Sequence, residues 1–136
     1  MNKDARILIV DDDPRVLLIL STALKRMKNG YRVVAVPSGA EALQEVTAEP
    51  FDLVITDVRM PGIDGIELVE TIRNLNLSTT VIWITAYGCN QLQVQRKRLG
   101  VFSCLDKPLR IDEIRQAALE ALEAIWAQRE QTDGRQ

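Results

Sequence analysis

Five short apolar runs, each followed by a segment with helical spacing, limit what this 136-residue chain can fold into. The runs occupy residues 6–10, 31–36, 53–55, 80–84 and 101–105. Runs that are apolar on both faces are typical of parallel strands covered by helices on each side. The alternation therefore predicts a single α/β domain, built as a doubly wound (βα)5 parallel sheet with right-handed crossovers.

The strand order that suits five such units is 2-1-3-4-5, the flavodoxin-like arrangement, with its switch point between strands 1 and 3. Capping signals predict a first helix from Asp13–Pro14 to Asn29–Gly30, a weaker fourth helix over 89–99, and a last helix from Asp112 to about Arg129. Residues 1–126 are expected to form the domain. The polar residues 127–136 are expected to fray or to begin a linker.

Charge and composition exclude several classes of function. The formal net charge of −2 gives no global footprint for nucleic acid or for an anionic membrane. No apolar run approaches the roughly 18–20 residues of a membrane span, and no signal-peptide pattern opens the chain. Cys89 and Cys104 lack metal-ligand spacing, so a cytoplasmic protein with free thiols is expected. Because the chain has no histidine, any histidine chemistry must come from a partner.

Polar side chains follow four of the predicted strands at their carboxyl ends, the edge where open α/β sheets bind ligands. Asp11 and Asp12 follow strand 1, Asp57 follows strand 3, Thr85 ends strand 4 and Lys107 follows strand 5. Since strands 1 and 3 are neighbours, three carboxylates should converge, and like charges this close need neutralising. A hard divalent cation does this, and Mg²⁺ is the natural candidate.

A lysine and a hydroxyl that face an acidic cluster suit an incoming phosphoryl group. Lys107 supplies a positive charge and Thr85 a hydrogen bond, while the metal offsets developing negative charge. Attack of a carboxylate on phosphorus gives an aspartyl phosphate, so Asp57 is the hypothesised reactive group. A single strand-end aspartate usually caps a helix, and Asp13 is assigned that role. The ordered conjunction at four strand ends is what favours phosphoryl chemistry.

The signature of bacterial two-component response-regulator receiver domains resembles four segments of this chain: ILIVDDD at 7–13, DVRMPGIDG at 57–65, ITA at 84–86 and DKP at 106–108. The resemblance covers roughly residues 5–125 with family-like spacing. It implies that Asp57 is the phosphoacceptor for a sensor histidine kinase. It also implies that Asp12 and Asp57 ligate Mg²⁺ together with the backbone carbonyl of Arg59, while Asp11 acts close to the metal, mainly through water.

The same resemblance assigns roles around the incoming phosphoryl group. Lys107 would hold a phosphoryl oxygen, and the peptide bond to Pro108 is often cis in this family. Thr85 would bond the phosphoryl group and move toward it, and the backbone N–H of Ala86 would reach a phosphoryl oxygen. The implied function is a phosphorylation-dependent signalling switch. It would not be an enzyme beyond its own phosphorylation and autodephosphorylation.

The sequence departs from the family pattern on strand 5. Receivers usually carry Tyr or Phe three residues before the lysine, whereas this chain has Cys104. A cysteine cannot fill the volume of an aromatic ring, and Phe102 on the same strand face is the candidate substitute. Arg59 and Tyr87 flank the site at positions that influence loss of the phosphoryl group in this family. Both are large enough to screen attacking water.

Two surfaces are candidates for contact with partners. Helix 4 carries a basic cluster at residues 96–98, which is either a solvated face or a docking patch for an acidic partner. The last helix has a second apolar row, Leu119, Leu122 and Trp126, which is either core or a homodimer or partner surface. The resemblance implies a kinase or phosphotransfer protein upstream. Downstream it implies a protein partner or output domain at the helix 4–strand 5–helix 5 face.

Two alternative functions stay open at this point. A phosphohydrolase with an aspartyl nucleophile and Mg²⁺ usually has a second Asp two residues after the nucleophile, and Arg59 at that position argues against it. A pseudo-receiver would bind a partner without being phosphorylated. The intact acidic site argues against a pseudo-receiver, while Cys104 keeps this alternative open. Neither direct nucleic-acid binding nor a membrane is expected.

Overall fold

The computed structural model describes residues 5–27 and 31–133, which form a five-stranded parallel sheet in the order β2-β1-β3-β4-β5. This confirms the predicted fold class and strand order. The strands are β1 (Arg6–Val10), β2 (Arg32–Val36), β3 (Leu53–Asp57), β4 (Thr80–Thr85) and β5 (Ser103–Asp106). The helices are α1 (Pro14–Lys25), α2 (Gly39–Ala48), α3 (Gly65–Asn74), α4 (Gln93–Leu99) and α5 (Ile111–Asp133), with a 3₁₀ helix at Cys89–Leu92.

The core lies in two layers, one on each face of the sheet. Successive residues of a strand point to opposite faces, so Ile7 and Ile9 pack under α1 and α5, whereas Leu8 and Val10 pack under the helices of the other face. Apolar burial of this kind is the dominant favourable term in folding. The continuous apolar runs are explained by this two-sided cover.

Side-chain caps fix where three helices begin, and so shape the loops at the carboxyl edge of the sheet. Asp13 accepts a hydrogen bond from the N–H of Arg15 at 2.9 Å, and Pro14 is the first residue of α1. Ser38 accepts from the N–H of Glu41 at 3.2 Å and caps α2. Asp64 caps α3 within a reciprocal capping box. The helix-capping role predicted for Asp13 is therefore confirmed.

Several element ends differ from the predictions. Helix α1 ends at Lys25, and the predicted stop at Asn29–Gly30 lies outside the described residues. Strand β5 covers 103–106 rather than 101–105, because the N–H of Val101 donates to the carbonyl of Arg96 and closes the end of α4. Helix α5 extends to Asp133, past the predicted end near Arg129.

The second apolar row of α5 belongs largely to the core. Leu122 is fully buried, and Trp126 packs against the same cluster that lies between α1, α5 and the sheet. Of the two roles predicted for this row, the core role holds for Leu122, whereas Trp126 packs on the same cluster and stays partly exposed. No helix among the described residues is long and apolar enough to cross a membrane.

Candidate functional site at the carboxyl edge of the sheet

The parallel register brings the predicted polar residues to one edge of the sheet. Asp11 directly follows β1, and Asp57 and Thr85 are the last residues of β3 and β4. Asp57 pairs with Ile84 across the β3–β4 ladder, and Thr85 pairs with Asp106 across the β4–β5 ladder. Lys107 follows β5 directly, so its side chain starts beside Thr85.

Three carboxylates converge at this edge. One oxygen from each of Asp11, Asp12 and Asp57 lies within 4.8 Å of the other two. Asp11 and Asp57 are buried, whereas Asp12 is exposed. Because neighbouring residues at a strand end point in opposite directions, the adjacent pair supplies one inner and one outer carboxylate. The cluster therefore opens to solvent on the Asp12 side.

Lys107 bridges the two buried carboxylates. Its Nζ lies 3.0 Å from Oδ2 of Asp11 and donates a hydrogen bond to Oδ2 of Asp57 at 3.1 Å. Burial lowers the pKa of Lys107, but the two carboxylate contacts outweigh burial, so its pKa stands above the ordinary value. The N–H of Lys107 also donates to the carbonyl of Thr85 at 2.7 Å. The peptide bond from Lys107 to Pro108 is cis.

Asp11 is the carboxylate in the least favourable surroundings. Burial raises its pKa most, while the N–H of Asp13 at 2.8 Å and the ammonium of Lys107 act in the opposite direction. Its Oδ2 is buried and accepts no hydrogen bond from any described residue, although it contacts Lys107 as an ion pair. A buried carboxylate oxygen in this state is suited to a further cation. The residues at the edge thus fit a divalent metal ion.

The mouth of the site is formed by the turns after β3 and β4. The N–H of Arg59 donates to Oδ1 of Asp57 at 3.4 Å, and its guanidinium lies 4.7 Å from the ring centre of Tyr87. The N–H of Tyr87 donates to Oγ1 of Thr85 at 3.0 Å. Ala86 is exposed, and its N–H donates to no acceptor within 5–27 and 31–133. Its N–H is therefore available to a ligand.

The prediction of free thiols is wrong, because Cys89 and Cys104 form a disulfide bond with a Cα–Cα distance of 5.9 Å. The bond ties the start of the 3₁₀ helix after β4 to strand β5. Sequence spacing gave no signal for this pair, since 15 positions and the whole of α4 separate the two residues along the chain. Only the return of the chain from α4 to the sheet brings them together.

A parallel sheet that carries acid, hydroxyl and lysine side chains at the ends of strands 1, 3, 4 and 5 defines a receiver-type α/β domain. Comparison with known proteins agrees. The model of the response regulator receiver domain family matches residues 7–119. The chain therefore belongs to the response-regulator receiver domain family.

Individual relatives support this membership. Sporulation initiation phosphotransferase F of Bacillus subtilis is 38% identical over 117 residues, which is 86% of this chain and 93% of that protein. Transcriptional regulatory protein GlrR of Escherichia coli K12 is 42% identical over 122 residues, 90% of this chain but 27% of that protein. The chain thus spans about a quarter of the length of the first curated relatives it matches.

Solved structures agree with the fold. A CheY-like response regulator receiver domain protein from Methanospirillum hungatei JF-1 superimposes with a TM-score of 0.80 at 28% identity. The superposition covers 88% of this chain and 94% of that one. Receiver domains are the signalling modules of response regulators. As a member of this family, the chain belongs to a class of phosphorylation-dependent switches.

Proposed function

We propose that this chain is a signalling switch in which Asp57 accepts a phosphoryl group from a sensor histidine kinase or a phosphotransfer protein. The observation that carries the proposal is the bridge of Lys107 between the buried carboxylates of Asp11 and Asp57. The bridge places the carboxylate of Asp57, the ammonium of Lys107 and the acidic cluster together at the open edge of the sheet. These are the groups that transfer of a phosphoryl group to a carboxylate requires.

In the proposed transfer, a carboxylate oxygen of Asp57 forms a bond to phosphorus as the bond between phosphorus and the leaving group of the donor breaks. Lys107 exchanges part of its contact with Asp57 for contact with a phosphoryl oxygen. The hydroxyl of Thr85 and the available N–H of Ala86 donate to the other phosphoryl oxygens. Donors that are already positioned where charge develops stabilise it without reorganisation at the moment of reaction.

Mg²⁺ is the cofactor we propose, held by Asp12 and Asp57 and by the backbone carbonyl of Arg59, with Asp11 acting close to the metal through water. When bound, it neutralises charge on the phosphoryl oxygens and the carboxylates. The cluster of three carboxylates and the buried Oδ2 of Asp11, which is paired with Lys107, support this assignment. Self-phosphorylation and slow autodephosphorylation are the only catalysis proposed, as expected of a switch.

The proposed output surface is the α4–β5–α5 face, which would contact a downstream protein partner or output domain in the cytoplasm. Val94 of α4 is 77% exposed and Phe102 before β5 is 38% exposed, so this face offers apolar contact area. The basic cluster at 96–98 is partly used within the fold. Arg96 donates to the carbonyl of Phe102 at 3.0 Å, and Arg98 pairs with Glu70 at 3.0 Å. A homodimer, for which the second apolar row of α5 is the predicted surface, stays a prediction.

The test of the proposal is phosphorylation by acetyl phosphate with Mg²⁺, followed by intact mass. The wild-type chain and Asp112→Asn, which removes an exposed acid outside the site, should each gain one phosphoryl group. Asp57→Asn should gain none, and neither should the wild type when Mg²⁺ is chelated. An adduct that persists in Asp57→Asn, or a folded wild type that gains none, would refute the proposal. The second result would favour the pseudo-receiver alternative.

A further inference from the structure

The disulfide bond lies between two segments that both carry residues of the candidate site. Cys89 lies at the end of the turn that follows β4, three positions after Ala86. Cys104 lies on β5, three positions before Lys107. Both cysteines are only partly buried. The ring that the bond closes contains the whole of α4, so the bond connects the site to the proposed output face.

Without the disulfide, the turn after β4 would be held to β5 by weaker contacts. At its start, the carbonyl of Thr85 accepts from the N–H of Lys107 at 2.7 Å. At its end, the N–H of Cys89 donates to Oδ1 of Asp106 at 2.9 Å, a hydrogen bond to an exposed side chain. A single hydrogen bond contributes only modest net stability, because folding exchanges it for hydrogen bonds to water. The covalent bond is therefore what fixes the end of this turn.

The fixed turn restrains the groups that would receive a phosphoryl group. Oγ1 of Thr85 accepts from the N–H of Tyr87, and the ring of Tyr87 lies against the guanidinium of Arg59. If the Thr85 side chain rotates toward a phosphoryl group on Asp57, the hydrogen bond from Tyr87 breaks and residues 86–88 must shift. A turn that is covalently anchored at Cys89 resists that shift.

We propose that Cys89 and Cys104 are a reversible thiol–disulfide modification site that controls phosphorylation of Asp57. The dithiol form accepts the phosphoryl group readily, and the disulfide form accepts it slowly. The inference rests on the proposed function.

Glutathione disulfide is the oxidant we assign to the forward step. One cysteine thiolate attacks a sulfur of glutathione disulfide, which forms a mixed disulfide and releases one glutathione thiolate. The other cysteine thiolate then attacks the protein sulfur of the mixed disulfide, which forms the Cys89–Cys104 bond and releases the second glutathione. Two electrons pass from the protein to the oxidant. The two thiol protons are balanced by those on the two glutathione thiols, and reduction by glutathione is the reverse.

The position of the pair allows both forms to fold. Cys104 only borders the core cluster under α2, α3 and α4, and Cys89 belongs to neither core cluster. The sheet ladders and both apolar layers are made without the sulfur atoms. Partial exposure of both residues gives a small thiol access to the bond. These features distinguish the pair from a disulfide that is sealed in a core.

The test compares phosphorylation by acetyl phosphate and Mg²⁺ after incubation in reduced or in oxidised glutathione. Thiols are counted by maleimide labelling, and the adduct on Asp57 is followed by intact mass. The oxidised wild type should be phosphorylated about fivefold or more slowly, the scale of an ordinary coupling energy. Cys89→Ser and Cys104→Ser serve as matched controls. Each should react at the rate of the reduced wild type in both buffers.

Each other outcome is decisive in its own way. Equal rates in the two buffers, a faster disulfide form, or thiols that fail to interconvert across the glutathione ratios would overturn the inference and leave the proposed function standing. Variants that remain sensitive to oxidant would also overturn it. No adduct in either redox state would refute the proposed function, and the inference with it. The wild-type comparison holds even if one serine variant does not fold.

Discussion

Gly65 places the first turn of α3 directly against the end of β3, and replacing it with alanine should disturb both the fold and the site. A Cβ added at this position would meet the carbonyl oxygen of Asp57 and would lie 2.8 Å from the Cα of Val58. Both are backbone atoms, one in the last residue of β3, the candidate phosphoacceptor, and the other in the residue that follows it. The N–H of Gly65 donates to the carbonyl of Val58 at 2.8 Å, so the helix and the strand cannot separate without losing this bond.

The expected loss of stability follows from these contacts. Overpacking of a well-packed site costs roughly 1–3 kcal/mol, and the upper end applies because the atoms that clash are backbone rather than side-chain tips. An unfolding entropy of about 2.1 cal/mol/K per residue gives roughly 0.29 kcal/mol/K for this chain. A loss of about 3 kcal/mol should therefore lower Tm by about 10 °C.

Gly100→Ala is the matched control. Gly100 has a φ of 64° at the end of α4, and an added Cβ there has nothing within 4 Å. Its only penalty is the left-handed conformation, roughly 1–2 kcal/mol. Urea unfolding should show a larger loss for Gly65→Ala, and acetyl phosphate should label Asp57 more slowly in that variant alone. A Gly65→Ala protein as stable and as reactive as Gly100→Ala would refute the reasoning.

Three further predictions concern the metal, the disulfide and the mouth of the site. Mg²⁺ at ten times its dissociation constant should stabilise the fold by about 1.4 kcal/mol, which raises Tm by roughly 5 °C in thermal melts. A rise in Tm of equal size in Asp12→Asn would contradict the assigned ligands. Reduction of the disulfide, whose cysteines are 15 positions apart, should lower the free energy of unfolding by about 3 kcal/mol in urea titrations, and Cys104→Ser should not respond to reductant. Tyr87→Ala should shorten the lifetime of the aspartyl phosphate several-fold, because it opens the mouth that Tyr87 and Arg59 cover; an equal effect in Phe102→Ala, which changes an exposed ring outside the mouth, would argue against screening of water.

The sheet could be predicted from the sequence because each strand is buried on both sides and is therefore apolar throughout. The bounds of β5 could not be predicted in this way, since Val101 and Phe102 are as apolar as strand residues but precede the strand. Hydrogen bonding assigns Val101 to the end of α4, and it extends the strand to Asp106 opposite Thr85. Apolar character indicates burial, and it does not distinguish a helix-closing residue from a strand residue.

The predicted end of α5 near Arg129 is wrong, because polar character does not by itself imply loss of structure. The helix continues through 127–133, a segment that begins Ala-Gln-Arg-Glu, and these residue types favour helix in exposed positions. Arg129 also pairs with Asp52 at 2.6 Å, which ties this part of the helix to the residue before β3. Because the two residues are 77 positions apart, this contact cannot be predicted from the local sequence.

The candidate site could be predicted as a set of residues, because strand order alone brings Asp11, Asp57 and Lys107 to one edge. Which carboxylate of the site is buried and which is exposed could be read only from the side-chain positions in the structure. Asp11 is fully buried and Asp12 is exposed, although the two are adjacent and chemically identical. Their different surroundings follow from the alternation of side chains at the end of β1. The same geometry explains why Lys107 reaches Asp11 and Asp57.

The cysteine pair shows where residue spacing fails as a guide. The two cysteines lack metal-ligand spacing, and the prediction of free thiols follows from the expected cytoplasmic compartment. The compartment determines whether a disulfide persists, but it does not determine whether two sulfur atoms lie close enough to form one. In this fold β4 and β5 are neighbours, with Trp83 opposite Cys104, and the turn after β4 folds back over β5. Cys89, at the end of that turn, therefore lies next to Cys104. Since the same turn carries Ala86 and Tyr87, a bond formed there acts on the site itself, so the topology links redox state to phosphoryl transfer.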